Sequence, residues 1–504
     1  TIPAFPNIIL PFFGGYFVDT LGAYKCMTAF ITLISIGHVV FAFGLSIKSW
    51  PIMFLGRAIF GIGESSNSVA NSTILSDWFG GGGELALAFG INLAISRMGS
   101  VANNLISPVL ASSAGVVFSV WFGAILLAAS VSCAVIMLPI NGAIEKEIEK
   151  NEEDLRDANS FVQNDSEVPP PEEFKFRDAL KFPTSFRILT IMCLLIYGVI
   201  SPFNNIASTL LLERNYFRTP PDECTLTIPY LCQSGSNPPI HCPSSTDYQP
   251  PLPVNLTYDN KYYKELTSDD IDCTDDLWKN GCTKTYCNRY DNSILEANTV
   301  MSIPYFMAAC LLPFFGGFVD KYGKRALVLG LVPIVLLIVH LTLAFSHVNP
   351  IPLLIGQGIA YTAMAATLWP SFSLVVEQRY TGLGFGIAFS MQNAGLSVIP
   401  LVIAGIYTSS NDKYIPNVEL FFVAISGVAL LVGIWLNLDD LKHGSILNLP
   451  LAAKDEDGQA YDPLLKENNY DDDDDNNRYR EDRMTSKERR LSRHSSENMR
   501  NIRK

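Results

Sequence analysis

The stretch Leu10-Pro11-Phe12-Phe13-Gly14-Gly15, with Phe17-Val18-Asp19 behind it, recurs as Leu312-Pro313-Phe314-Phe315-Gly316-Gly317 with Phe318-Val319-Asp320 behind it. Further along, Phe89-Gly90-Ile91 with Arg97-Met98-Gly99 matches Phe385-Gly386-Ile387 with Asn393-Ala394-Gly395 at equal internal spacing. Two matches in the same order, at an offset of about 300 residues, mark an internal duplication. The chain reads as two copies of one unit, and the distribution of charge says what kind of unit that is.

Of the 85 Asp, Glu, Lys and Arg, 18 lie in residues 142–182, 18 in 214–295 and 29 in 439–504. The other 315 residues carry the remaining 20. Hydrophobic windows of the roughly 20 residues needed to cross a bilayer recur through them, which excludes a soluble globular domain and makes the lipid bilayer the first partner. Windows bounded by Pro, Gly and charge predict eleven spans, near residues 3–18, 27–46, 52–76, 85–110, 116–139, 186–211, 297–319, 325–346, 351–376, 384–408 and 417–438. Short loops orient them. Lys25, Lys321, Lys324, Arg325 and Arg379 lie on one side and Lys48 and Lys413 on the other, which places the first set in the cytoplasm. Eleven spans put Thr1 on the exoplasmic side with no signal peptide and no initiating Met, so a first helix is expected to be missing from this chain. The net charge of −13 resides mostly in the polar segments and not on one folded face, so no nucleic-acid partner is expected.

The cysteines test the orientation independently. Cys224, Cys232, Cys242, Cys273, Cys282 and Cys287 all fall in the 214–295 loop, beside the sequon Asn255-Leu256-Thr257. An even set of Cys with a glycosylation sequon reads as a lumenal or exoplasmic loop holding up to three disulfides, whose pairing is open. The expected organisation is an all-α membrane protein. A first bundle over 1–140 is joined by a cytoplasmic linker at 141–185 to a second over 186–438, which includes the 214–295 loop, and 439–504 form a disordered cytoplasmic tail. With the missing helix restored each bundle has six spans, and paired six-helix repeats place a substrate site near the midplane between them.

These residues resemble the major facilitator superfamily over roughly residues 3–438. Gly15-Tyr-Phe-Val-Asp19-Thr-Leu-Gly22 and Gly317-Phe-Val-Asp320-Lys321-Tyr-Gly323-Lys324-Arg325 are similar to its signature loop, and Gly56-Arg57-Ala-Ile-Phe-Gly61-Ile-Gly63 to its fourth-helix motif. The resemblance implies the major facilitator fold, with structural or gating roles for Asp19, Arg57, Asp320 and Lys321. Physically, Asp and the basic residues can pair with helix ends and close the cytoplasmic side. Within the superfamily, Asp77-Trp78-Phe79, Glu84-Leu85 with Phe89-Gly90, Arg97-Met98-Gly99-Ser100, Tyr197 with Pro202-Phe203, and Leu368-Trp369-Pro370 with Gln392-Asn393-Ala394-Gly395-Leu396 resemble lysosomal dipeptide uniporters. In that group a Glu on the fourth helix and an Arg on the fifth bind the dipeptide termini. Arg97 matches directly, whereas the family's Gly-Ile-Gly-Gly-Glu-Ser stands here as Gly61-Ile62-Gly63-Glu64-Ser65-Ser66, with the Glu one residue early.

Read without the family, Arg57, Glu64 and Arg97 are the charged residues well inside predicted spans, where charge is costly and marks function. Glu64 and Arg97 share a depth near the midplane, which suits a zwitterion: Arg97 for a carboxylate, Glu64 for an ammonium. Mutual neutralisation, of Glu64 with Arg97 or with Arg57, is the plainer alternative. Asn393 holds the repeat position of Arg97 and is expected to face the same cavity. Tyr197 and Asn204 flank Pro202, and Tyr361 and Trp369 can wall the pocket, with ordinary helix packing as the competing reading. His38 and His340 read as polar packing rather than a proton relay.

No Walker loop, HExxH, G-x-S-x-G or Cys-x-x-Cys is present, so no enzyme activity and no cofactor or metal is expected. In the tail, Tyr461-Asp462-Pro463-Leu464 with Leu465 has the form of a lysosomal sorting signal read by sorting adaptors. The expectation is a secondary transporter of dipeptides or similar small zwitterions in a lysosomal or late endosomal membrane, with the plasma membrane as alternative. The resemblance implies a uniporter with a glycosylated lumenal accessory subunit. A proton-coupled symporter of another small organic solute, or a transporter-like receptor acting through the lumenal loop, are the alternatives.

Overall fold

The computed structural model describes residues 6–80, 83–160, 176–219, 247–250, 254–255, 264–265, 271–273, 275–280 and 283–450. Five helices precede the linker: α1 (Pro6–Leu21), α2 (Ala23–Ser46), α3 (Trp50–Phe79), α4 (Leu85–Ala114) and α5 (Val116–Ser160). After a 3-10 turn at Phe176–Lys181 come α6 (Thr184–Leu211), α7 (Lys284–Met301), α8 (Ile303–Tyr322), α9 (Arg325–Phe345), α10 (Pro350–Val375), α11 (Thr381–Ser409) and α12 (Asn417–Lys442). The two-residue strands β1 (Val254–Asn255) and β2 (Lys264–Glu265) pair antiparallel. Pro at the first turn opens α3, α8 and α10, where its missing N–H costs no hydrogen bond.

Ten of the eleven predicted spans each coincide with one of these helices, 297–319 straddles the end of α7 and most of α8, and the other differences lie at the ends. α5 continues past Pro139 to Ser160, because hydropathy marks where the bilayer stops and not where a helix of Glu and Lys stops. The polar residues 284–295, expected as loop, are helical and run into α8 through Ser302, with Pro304 at the junction. Among the described residues, nine helical segments are long and apolar enough to cross a membrane. α1 has 16 described residues, and α3 carries Arg57, Glu64 and a Ser/Asn-rich run.

The two halves pack through α1 against α11 and α4 against α8, with α3 against α11 and α4 against α10 nearer the centre. α6 is buried on nearly all sides: Ile188, Leu189, Met192, Ile196 and Leu210 are inaccessible, packed with Leu336, Leu354, Met364 and Leu368 of α9 and α10. Ile125, Leu126 and Ile136 of α5 and Phe314, Leu331 and Leu431 of the second half point outward. Apolar side chains on the outer surface are the expected inversion when the solvent is lipid.

The repeat is visible in three dimensions, shifted by one residue from its most obvious alignment. A Cβ on Gly15 would run into Gly382 O and Leu383 Cα, and one on Gly316 into Ala86 O and Leu87 Cα. Likewise Gly386 sits on the Pro11 carbonyl and Gly90 on that of Leu312. The offsets are 301 for the first repeat (316 minus 15, 312 minus 11) and 296 for the second (382 minus 86, 386 minus 90). The identical Leu-Pro-Phe-Phe-Gly-Gly strings stand 302 apart, so identity of letters and equivalence of place differ by one residue, which Tyr16 inserts. Small residues at these crossings let backbones approach, the main device of helix association in lipid.

Candidate functional site

Arg97 is the thirteenth residue of α4 and Asn393 the thirteenth of α11, so both stand at mid-depth on equivalent helices. The Arg97 Nη2 donates to the Tyr361 hydroxyl of α10, across the interface between the halves. Its guanidinium carbon also lies 5.2 Å from the Tyr361 ring centroid and 5.9 Å from that of Tyr305 on α8, near enough for cation–π attraction. Among the described residues its buried Nε–H has no partner. The mate of this contact under the repeat is Asn393 Nδ2 to Ser65 Oγ, at 3.4 Å, since 97 to 393 and 65 to 361 are both 296. One slot holds a cation on a phenol, the other an amide on a hydroxyl.

Aromatic surface completes one side. Trp369 Nε1 donates to the Tyr197 hydroxyl at 2.9 Å, Tyr197 meets Tyr361 edge-on, and Trp369 stacks on Phe389 at 4.3 Å. Tyr197, Tyr361 and Trp369 are therefore brought together with Arg97. Asn204 belongs to a neighbouring polar chain, in which Gln357 Nε2 donates to Asn204 Oδ1 at 3.2 Å and Asn204 is hydrogen-bonded to Tyr305. Gln357 and Tyr305 were missed by sequence reasoning. The available signal was a Gln inside the apolar run of α10, which costs burial unless a partner receives it.

Glu64 is placed apart. It is exposed, about 100° around α3 from the Ser65 that meets Asn393, and its electrostatic neighbour is Arg57, not Arg97. Arg57 is exposed as well, over the rings of Phe41 (4.8 Å) and Phe60 (5.8 Å). It lies 22 residues before Phe79, about 33 Å along the helix from the basic end of the bundle. That distance keeps it away from Asp19 and Asp320 at the basic end, which leaves for Arg57 the structural of the two expected roles.

Asp19 and Asp320 sit at the basic end, the end carrying Lys25, Lys324, Arg325 and Arg379. The Asp19 carboxylate accepts from Gly382 N and Leu383 N, both 2.7 Å, at the N-terminus of α11. Asp320 accepts from Ala86 N (3.0 Å) and Leu87 N (2.8 Å), at the N-terminus of α4. Each carboxylate caps a helix of the opposite half, where orphan N–H groups and the helix dipole both favour an anion. The cation on Asp320 is Arg325, at 3.3 Å, whereas Lys321 is exposed with its ammonium over the Tyr322 ring. Lys321 follows Asp320 by one residue and so points about 100° away around the helix, while Arg325 returns beneath it at the start of α9.

Two histidines have helix neighbours as partners. His38 Nε2 contacts the Val120 carbonyl at 3.0 Å, and His340 Nδ1 pairs with Glu419 at 2.7 Å in a fully buried contact between α9 and α12. Cys273 and Cys287 pair as a disulfide with Cα atoms 5.2 Å apart, beside Phe217 and Tyr286. Asn255 lies in β1. Cys224, Cys232, Cys242 and Cys282, and the tail residues Tyr461, Leu464 and Leu465, lie outside the described residues. Among the described residues no cluster of His, Cys, Asp or Glu is arranged to hold a metal.

A family model for the Major Facilitator Superfamily matches residues 1–216 and 283–453, both halves and the junctions that carry the clamp. The chain belongs to the major facilitator superfamily. It is accordingly a multi-pass membrane transporter and not an enzyme. Among curated superfamily members, the lysosomal dipeptide transporter MFSD1 of Danio rerio is 25% identical over 458 residues, covering 90% of this chain and 80% of that protein. The Mus musculus transporter of the same name is 25% identical, covering 88% and 78%. Among solved superfamily structures, the E. coli fucose:proton symporter superposes with a TM-score of 0.53 at 12% identity, covering 85% of this chain and 87% of that one. A likeness at that identity shows the fold alone.

Proposed function

We propose that this chain is a uniporter of dipeptides or similar small zwitterions, working by alternating access in a lysosomal membrane, with the basic end facing the cytoplasm. The observation that carries the reading is Arg97: a mid-depth guanidinium at the interface of the halves, tied at one nitrogen to Tyr361 and with a buried, unpartnered Nε–H. A buried unmatched donor on a cation is costly, and a substrate carboxylate is the group that satisfies it, by charge-assisted and bidentate bonds. Tyr197, Trp369, Tyr305 and Tyr361 give the peptide an apolar and hydroxylated wall, with Asn393 and Asn204 as polar contacts beyond it. Glu64, at the same depth but turned from Arg97 toward Arg57, is proposed for the ammonium through the family resemblance alone. The dipeptide transporters at 25% identity support the substrate class, and the clamped basic end fits one closed state of a rocking cycle.

The test is dipeptide flux into proteoliposomes of the full-length protein, with thermal stabilisation by dipeptides, single amino acids and sugars alongside. Dipeptides should stabilise the protein, and Arg97→Ala should weaken their binding by about 10- to 100-fold, the worth of a charge-assisted bond. Stabilisation by sugars, or a dipeptide effect indifferent to Arg97, sinks the assignment.

A further inference from the structure

The segment just after α12 folds back onto the gate. α12 ends in a Schellman turn: Gly444 takes φ +85° and the Ser445 N–H returns to the Asp440 carbonyl at 2.7 Å. That turn aims Leu447 into a buried position and Asn448 at the start of α9. There no local side chain caps the helix. Its orphan donors are taken by the segment instead: Lys324 N by Asn448 O (3.0 Å), Arg325 N by Leu447 O (3.0 Å) and Leu327 N by Asn448 Oδ1 (3.2 Å). Asp440 holds the cap in place, its carboxylate accepting from Leu447 N and Asn448 Nδ2, both at 2.8 Å. The same loop fixes Arg325, whose Nη1 donates to Leu449 O at 3.2 Å while Nη2 reaches Asp320. Asp320 in turn caps α4 of the other half.

We infer that residues 445–449 are a strap that positions the cytoplasmic gate, with Asn448 and Asp440 as positioning residues acting through Arg325 on Asp320. Arg325 is fully buried, and its guanidinium points at Asp320 because the first turn of α9 is held from below. When the strap is released, the first turn of α9 loses three acceptors and Arg325 loses one of its two anchors, so the Asp320 clamp weakens and the open gate gains population. The inference rests on the basic end being a gate that opens in transport, and not on which solute passes.

Spin labels at Leu21→Cys and Tyr322→Cys, exposed positions at the basic end of the two halves, report the gate in full-length protein with Cys133 and Cys310 replaced by Ser. The distance distribution is recorded without solute, so failure of the dipeptide reading leaves the result unaffected. Asn448→Ala should raise the ratio of long to short distances about fivefold, the equivalent of one lost helix cap. The double exchange Asp440→Asn with Asn448→Asp re-forms the side-chain bond with donor and acceptor reversed and keeps a carboxylate oxygen for Leu327 N, so it should return the ratio to that of the parent. If Asn448→Ala does not fold, Asn448→Ser, too short to reach Asp440, should raise the ratio by a smaller factor. A purely structural strap would lower the thermal midpoint and leave the distances unchanged. That result, or a double exchange that behaves like Asn448→Ala, overturns the inference.

Discussion

The two clamps at the basic end are the same contact made twice, and they differ in what stands behind them. Asp19 on α11 and Asp320 on α4 each take two successive backbone N–H groups of the opposite half, and each lies beside a glycine that admits the partner backbone. Behind Asp320 stands a buried Arg325, itself held by the strap. Five residues after Asp19 stands Tyr24, whose hydroxyl accepts from Trp78 Nε1 at 2.5 Å. The two copies thus share the geometry of the gate, while Arg325 meets Asp320 where Tyr24 holds the equivalent place behind Asp19. A cation that neutralises a buried carboxylate makes that copy more costly to disrupt by half.

That contrast can be broken most directly at the carboxylates. Asp320→Ala leaves Arg325 buried without its partner and should destabilise the protein by about 3 to 5 kcal/mol. Asp19→Ala removes two charge-assisted bonds without stranding a charge and should cost about 1 to 3 kcal/mol. Thermal unfolding of the two variants measures the gap, and equal losses would mean that Arg325 contributes nothing to the asymmetry. Next come the glycines, where the copies should agree: Gly15→Ala and Gly316→Ala each push a methyl into a facing carbonyl and should each cost about 1 to 3 kcal/mol. A clear difference between them, read in the same unfolding assay, would refute the one-residue shift in the repeat. The smallest effects belong at the central site. Tyr361→Phe should cost about 1 kcal/mol, because Arg97 loses its acceptor. Ser65→Ala, which removes a long bond between neutral groups, should stay within about 0.5 kcal/mol.

The central site repeats the lesson. Arg97 and Asn393 occupy equivalent places, and their partners Tyr361 and Ser65 are equivalent too. Sequence reasoning names Arg97, Tyr361, Tyr197 and Trp369 because a charge or an aromatic at mid-span is conspicuous against an apolar background, and Asn393 because it holds the repeat position of Arg97. It joins Glu64 to Arg97 on shared depth and on the family's fourth-helix Glu, with pairing to Arg57 as the plainer alternative. Depth is one coordinate of three, and the direction around the helix turned Glu64 toward Arg57. Gln357 escaped notice for the opposite reason: one amide in a span is unremarkable until Asn204 and Tyr305 are seen to line up with it. Lys321 enters the gate through the resemblance of its loop to the family signature, and one step along a helix from Asp320 puts its side chain on a different face.

By itself the sequence determined the spans, their order, the duplication and the superfamily, since a bilayer imposes a length on every crossing segment and a repeat preserves its letters. Both signals run along the chain and need no partner to be read. Only the tertiary structure decided which cation meets Asp320, that the segment after α12 caps α9, and that Arg97 rests on Tyr361 while Glu64 does not meet it. The cap on α9 and the Arg97 contact join residues 121 and 264 positions apart, and the choices of Arg325 over Lys321 and of Arg97 over Glu64 turn on about 100° around one helix, so all of them form only when the helices pack.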